Sequence, residues 1–336
     1  MKSGLPHIIK ILLAVCTVNF LCGGSFAQSS ENPSDNKSTG NPVHLWNSLI
    51  ITSINNPALA GLERKHVVFF DYDNPWFRSY EDMPPQNLNA GYDLRIKTFK
   101  GKYKLGIGAY YSGSFGDLMS AQKMGIVNSF AIQFRNKSEL SIGLSFLAIN
   151  LSKIDYSNAR FGNQFDGTGF NPSLSGTESL ADDRLMKYGP LNFGVWYNAK
   201  NFFVGLSALN LTMSNSSFFE GGEVRSPVIF LANTGYHFNI NHKFLVTPSM
   251  QYKLDALFVK AGENGSFHSA EPRITFSFSK NRFLFGAYYL NDEIFFLAGA
   301  NLFQHWLINL DAGWFVNDAV KVSSGPEIKV KTRVHF

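Results

Sequence analysis

Charge is scarce in this sequence. Only 16% of its 336 residues are Asp, Glu, Lys or Arg, where a soluble domain carries about 25%. Ser, Asn, Gly and Thr stand in for the missing charge, so mean hydropathy is only −0.07 although 45% of residues are hydrophobic and 15% aromatic. The 32 phenylalanines exclude a disordered chain, which lacks enough apolar surface to fold. Long apolar runs are also missing. Beyond the N-terminus no stretch reaches the roughly 20 residues a membrane-crossing helix needs, which excludes a helical membrane protein. Cysteine occurs twice, at Cys16 and Cys22. What is left is an aromatic-rich, glycine-rich all-β chain whose solvent, water or lipid, has to be settled by other features.

The N-terminus bears on location. Lys2 and Lys10 give a basic start, residues 8–21 an apolar stretch, and Ser25-Phe26-Ala27 a small-x-small cleavage site. These features predict a secretory signal peptide over 1–27, cut between Ala27 and Gln28. Leu21 precedes Cys22 where a lipid-modified cysteine would follow a small residue, so cleavage without lipid attachment is expected. Both cysteines leave with the signal, which excludes a disulfide framework, a thiolate metal site and a cysteine nucleophile in the mature chain. Losing two lysines also lowers the formal net charge of +5 by two. The remaining basic residues are scattered, so the high pI does not point to nucleic acid. Residues 28–40 are polar and low in complexity and read as a flexible leader. Residues 41–61 read as an N-terminal segment, either a plug or a periplasmic lead-in, and 62–336 as one domain.

The recurrent pattern in that domain is strict alternation, the mark of a strand with two unlike faces. Ile142, Leu144, Phe146 and Ala148 share one face, and Ser141, Gly143 and Ser145 the other. Ile274, Phe276 and Phe278 alternate with Thr275, Ser277 and Ser279. At the C-terminus Ile328, Val330, Thr332, Val334 and Phe336 alternate with Glu327, Lys329, Lys331, Arg333 and His335. A secreted sandwich and a membrane barrel both alternate in this way. Three features favour the barrel: small residues at inward positions (Gly106, Gly108, Gly143, Gly205, Ser207, Gly286), aromatic residues near strand ends (Tyr110, Tyr111, Trp196, Tyr197, Tyr288, Tyr289, Trp314), and a terminal Phe336. Short polar turns at 100–102, 136–138, 198–201, 239–242, 280–282 and 303–305 separate mostly longer connections near 73–86, 113–122, 154–187, 215–226, 256–270 and 317–324. The stretch 290–293 is a short member of the second set. This alternation predicts an antiparallel transmembrane β-barrel of about 14 strands, with short periplasmic turns and longer extracellular loops.

Catalytic signatures are lacking. There is no nucleophile elbow, zinc-binding His-Glu-x-x-His, EF-hand loop or phosphate-binding glycine loop. The histidines are dispersed, and His237 and His242 are separated by a predicted turn. Asp182 and Asp183 in the longest loop read as a solvated acidic pair. No enzyme activity, cofactor or metal is expected.

One motif stands out. Asn56-Pro57-Ala58-Leu59-Ala60-Gly61 follows an apolar segment, 45–54, and precedes the first strand. Pro57 fixes φ and removes a donor, and Gly61 permits a conformation other residues disfavour, so a tight turn leading into the barrel is expected. Pro75-Trp76 and Met83-Pro84-Pro85-Gln86 come next, then Leu105-Gly106-Ile107-Gly108 with Gly116-Asp117. Asn192-Phe193-Gly194-Val195 precedes Phe202-Phe203-Val204-Gly205-Leu206-Ser207, and Gly325-Pro326-Glu327-Ile328 opens the last strand. In this order and spacing, from about Leu45 to Phe336, the chain resembles the PorP/SprF family of outer-membrane proteins associated with the type IX secretion system of Bacteroidota. Leu59 stands where that family usually has an aromatic residue, and Pro326 where it has histidine.

The resemblance implies a non-enzymatic outer-membrane barrel, embedded in outer-membrane lipid, that helps secrete, anchor or retain adhesin-like cell-surface cargo, in some members for gliding. It implies as partners the type IX translocon and periplasmic tethering lipoproteins. Asn56, Pro57, Gly61, Trp76 and Glu327 become candidate structural or partner-contact positions. Phe161, Phe165 and Phe170, in the long loop 154–187, are candidate extracellular contacts. Glu327 is also expected to pair with lumenal lysines. A passive, porin-like solute channel is the alternative function. Intact mass of the exported protein is expected to give Gln28 as its first residue; a lipid mass on Cys22 would reverse this assignment.

Overall fold

The computed structural model describes residues 51–63, 65–74, 86–98, 102–116, 119–154, 183–186, 189–212, 227–241, 244–256, 266–278, 282–290, 293–302, 305–315 and 327–335, all within the unit Asn41–Phe336. The signal peptide, the leader, Trp76, the loop phenylalanines Phe161, Phe165 and Phe170, and the terminal Phe336 lie outside the described residues. Among the described residues no helix is long and apolar enough to cross a membrane.

A 3₁₀ turn at Pro57–Leu59 precedes the strands. The first five are β1 (His66–Asn74), β2 (Gln86–Thr98), β3 (Tyr103–Phe115), β4 (Met119–Gln133) and β5 (Glu139–Ile154). Then come β6 (Asp183–Met186), β7 (Leu191–Asn198), β8 (Phe202–Leu209), β9 (Val228–Tyr236), β10 (Phe238–Asn241) and β11 (Phe244–Ala256). The last are β12 (Ser266–Phe278), β13 (Phe283–Leu290), β14 (Glu293–Leu302), β15 (Trp306–Phe315) and β16 (Glu327–His335). β6 and β7 both pair with β5, and β9 and β10 both pair with β11, so the sixteen strands fill 14 positions. β16 pairs with β1 and every neighbouring pair is antiparallel, which closes the ring. The fold is a closed antiparallel 14-stranded β-barrel, not a sandwich.

Closure follows from the outer surface. Along β8, Phe202, Val204 and Leu206 are exposed while Phe203, Gly205 and Ser207 are buried. Along β5, Ile142, Leu144 and Phe146 are exposed while Ser141, Gly143 and Ser145 are buried. Among the described residues the outer face is mostly apolar in this way, including Ile107, Ile126, Phe285, Phe296 and Leu310, with Asn128 and Thr234 as polar members. Water would make such a surface a large aggregation patch; hydrocarbon makes it a solvated one. In hydrocarbon a free sheet edge would leave several kcal/mol of unmet hydrogen bonding per group, and the β1–β16 pairing removes that edge.

The strand bounds place short hairpin connections where five of the six were expected; the sixth moves from 239–242 to 242–243, because 239–241 belong to β10. In the one between β4 and β5, Lys137 takes φ +64° and Asn136 Oδ1 accepts from Ser138 N at 3.1 Å and Ser138 Oγ at 2.7 Å. One long connection is overturned: 113–122 shrinks to three residues, because β3 runs to Phe115 and β4 starts at Met119. The polar residues there extend two strands instead of forming a loop. The aromatic doublets also need correction. Tyr110, Trp196 and Tyr288 are buried in the lumen, while Tyr289 and Trp314 face outward. Period-two geometry sends the members of a doublet to opposite faces, so such pairs cannot both mark a membrane interface.

Leu206 is the most exposed of the outward residues of β8, at 57%, and lies near mid-strand. Leu206→Arg is expected to lower the unfolding free energy by about 2–4 kcal/mol in lipid vesicles, and Leu206→Phe to leave it almost unchanged, as read by denaturant titration.

Candidate functional site in the barrel lumen

Residues 51–62 lie against the inner wall, and the turn at their centre explains its own sequence. Asn56 caps the 3₁₀ turn: its Oδ1 accepts from Ala58 N at 3.1 Å, which satisfies a donor the turn leaves open. Pro57 stands at the first position, where its missing N–H costs nothing. Ala60 N donates back to Pro57 O at 3.3 Å and Leu62 N to Leu59 O at 3.1 Å. Gly61 has φ +62° and leads the chain toward β1. A Cβ there would also lie 2.7 Å from Gly106 Cα.

The wall is cut to receive this backbone. A Cβ on Gly143 of β5 would collide with Pro57 and Ala58, and one on Gly106 of β3 with Ala60 O. Hydroxyls occupy the neighbouring positions. Ser141 Oγ donates to Ala58 O at 2.6 Å, Ser129 Oγ to Ala60 O at 2.6 Å and Ser207 Oγ to Asn55 O at 2.7 Å. From the segment side, Asn56 Nδ2 donates to Val195 O at 3.3 Å and Leu206 O at 3.4 Å, and Ser53 Oγ to Asp93 Oδ1 at 3.2 Å. Ile51, Ala58 and Leu62 pack with Ala131, Trp196 and Phe203, and the Trp196 and Phe203 rings stack 5.3 Å apart. Half of these wall hydrogen bonds read the main chain of the segment, and small and polar residues frame the approach of that backbone.

The other side of the lumen sets ionic contacts beside an apolar cluster of Leu284, Tyr288, Phe295, Leu297 and Leu307. Arg273 pairs with Glu271 on β12 and lies over the Tyr288 ring of β13, 4.1 Å from its centroid. Tyr288 O–H donates to Asp311 Oδ2 at 3.0 Å, and Lys331 Nζ reaches the same oxygen at 3.0 Å. Lys329 Nζ lies 3.0 Å from Glu327 Oε1 and 3.9 Å from Asp73 Oδ2. Arg333 lies 3.9 Å from Glu63. These pairs link β12, β13, β15 and β16 to β1 across the closing seam.

Of the residues singled out from sequence, Asn56, Pro57 and Gly61 come together in the lumen against β3, β5, β7 and β8. Glu327 is not brought to them; it lies at the long-connection end of β16 with Lys329. His237 is buried, with Nδ1 2.9 Å from Thr247 Oγ1; His242 and Asp182 lie outside the described residues. Among the described residues no group of three His, Cys, Asp or Glu could hold a metal. Ser129, Ser141, Asp93 and the Glu271–Arg273 pair carry the site without having been singled out. Their signal was a small or charged residue on the buried face of a strand whose other face is bulky and apolar.

A family model described as Type IX secretion system membrane protein PorP/SprF matches residues 49–325, the turn and nearly the whole barrel. The chain belongs to the PorP/SprF family. As a PorP/SprF protein with this barrel it is an outer-membrane protein, and the family is one of secretion proteins rather than enzymes. No curated protein matches it in sequence. Solved structures similar to this PorP/SprF barrel include the toluene transporter TbuX of Ralstonia pickettii, with 11% identity, TM-score 0.48 and coverage of 86% of this chain and 93% of that one. The toluene transporter TodX of Pseudomonas putida has 13% identity, TM-score 0.48 and coverage of 86% and 94%. A Pseudomonas aeruginosa FadL homologue has 10% identity, TM-score 0.43 and coverage of 84% and 93%.

Asn56→Ala removes the cap and both wall contacts and is expected to destabilise the protein by about 1–3 kcal/mol. Gly143→Val is expected to force the turn off the wall. Limited proteolysis should then cut between residues 51 and 63 in the variant and leave the parent chain intact there.

Proposed function

We propose that this protein is a non-enzymatic component of the type IX secretion machinery that helps secrete, anchor or retain adhesin-like cargo at the cell surface. The observation that carries this reading is the family match over residues 49–325. In the proposal the protein is exported by a cleaved signal peptide, as in Bacteroidota relatives that serve secretion and gliding. It works beside the translocon and contacts periplasmic tethering lipoproteins through its short-turn side. Its loop 154–187, with Phe161, Phe165 and Phe170, offers cargo an extracellular contact.

The lumen supports holding rather than conducting. Residues 51–62 fill the β3–β8 side and ion pairs cross the β12–β1 side, so a folded protein has no passage, and 41–61 acts as a plug. Polar lumen walls are the feature that favours the alternative, a passive solute channel. Two measurements separate them. Deletion of the gene is expected to lower the surface level of at least one type IX cargo, while purified protein in planar bilayers gives no stable porin-like conductance. Normal secretion and retention of every cargo would sink the first reading, and a steady conductance would establish the second.

A further inference from the structure

Asn233 is a lumen residue of β9, only 2% exposed, and neither its Oδ1 nor its Nδ2 has a hydrogen-bond partner in the protein. It borders a cavity of about 10 Å³ together with Ile51, Phe203, Ser249, Glu271 and Arg273. That volume is about what a single water needs, and a water can both donate to and accept from a carboxamide. The same condition recurs across the closing seam. Asn309 and Asp71 both lie opposite Lys331 in one row of β15, β16 and β1. Asn309 Oδ1, Asp71 Oδ1, and Nε and Nη2 of Arg333 are buried without a partner in the protein. Open acceptors at Asn309 and Asp71 and open donors on Arg333, two residues further along β16 on the same face, are what bridging water satisfies; protein groups of one sign alone would not be. The β3–β8 side differs: the segment carbonyls of Asn55, Ala58 and Ala60 each receive a seryl hydroxyl, and Trp196 and Phe203 pack with Ile51, Ala58, Leu62 and Ala131.

We infer that the lumen wall from β9 to β1 binds water at fixed sites, one at Asn233 and others between Asn309, Arg333 and Asp71, beside the dry apolar cluster of Leu284, Phe295, Leu297 and Leu307. The bound water supplies part of the solvation that buried ion pairs otherwise forfeit, which lets the barrel close around many charges. The cavity at Asn233 has room for about one water, so hydration there does not amount to an open channel.

Radiolytic hydroxyl labelling of the intact protein in detergent tests this, because a buried ring is oxidised within milliseconds only when water is held beside it. Tyr288, next to Asp311 and Arg273, is expected to label several-fold faster than Trp196, although indole is intrinsically the more reactive of the two. Phe203, which borders the Asn233 cavity, is expected to label in the parent chain and to lose its label in Asn233→Leu, with Tyr288 unchanged. A Tyr288 as protected as Trp196 would overturn the inference, as would a Phe203 label indifferent to Asn233→Leu. The first comparison needs no variant, so it decides the question even if Asn233→Leu does not fold.

Discussion

A backbone amide in hydrocarbon has no solvent to bond with, and the rest of this structure depends on that constraint. It obliges the sheet to close, and closure at the β1–β16 seam creates an inside. Once there is an inside, it must be filled or hydrated. The two halves of the lumen do this differently: one receives the chain's own N-terminal turn, and the other a net of ion pairs. The scarcity of charge in the sequence thus has a location. Charges are kept off the outer face, where a midplane Lys or Arg costs roughly 2–4 kcal/mol, and several are gathered within the wall.

The inner half-site is in part a case of main-chain recognition. Three seryl hydroxyls address the carbonyls of Asn55, Ala58 and Ala60, and glycines at 106 and 143 let that backbone approach. The segment answers with side chains, Asn56 donating to the carbonyls of Val195 and Leu206 and Ser53 to Asp93. None of these hydrogen bonds uses the Leu59 side chain, which packs against the apolar cluster around Trp196 and Phe203.

Much of the fold could be read from sequence because the outer face imposes a simple rule. Apolar residues at every second position marked the strands, and short polar clusters marked the six tight hairpins. The rule failed where the chain left hydrocarbon. Between Gly113 and Gln122 the residues are Ser, Phe, Gly, Asp, Leu, Met, Ser and Ala, and nothing local says that β3 and β4 continue through most of them. It failed again at aromatic doublets, since an aromatic residue fits both an interface and a packed lumen, as Trp196 shows. The site was legible only in part. Asn56, Pro57 and Gly61 announced a turn, but its receptor is spread over strands 40 to 150 residues away in sequence, and only three-dimensional pairing brings Ser129 and Ser207 into one row through Gly143 and Gly194, with Ser141 in the next. Glu327 was expected to pair with lumenal lysines, and Lys329, two residues along the same strand, lies against it.

The hydrogen bonds that hold residues 53–60 reach no further along the chain than Ser207. Everything needed to seat the turn is therefore present once β8 has formed. Strands β9 to β16 contribute none of these hydrogen bonds, so the polar receptor of the turn belongs to the first half of the ring and the closing seam to the second.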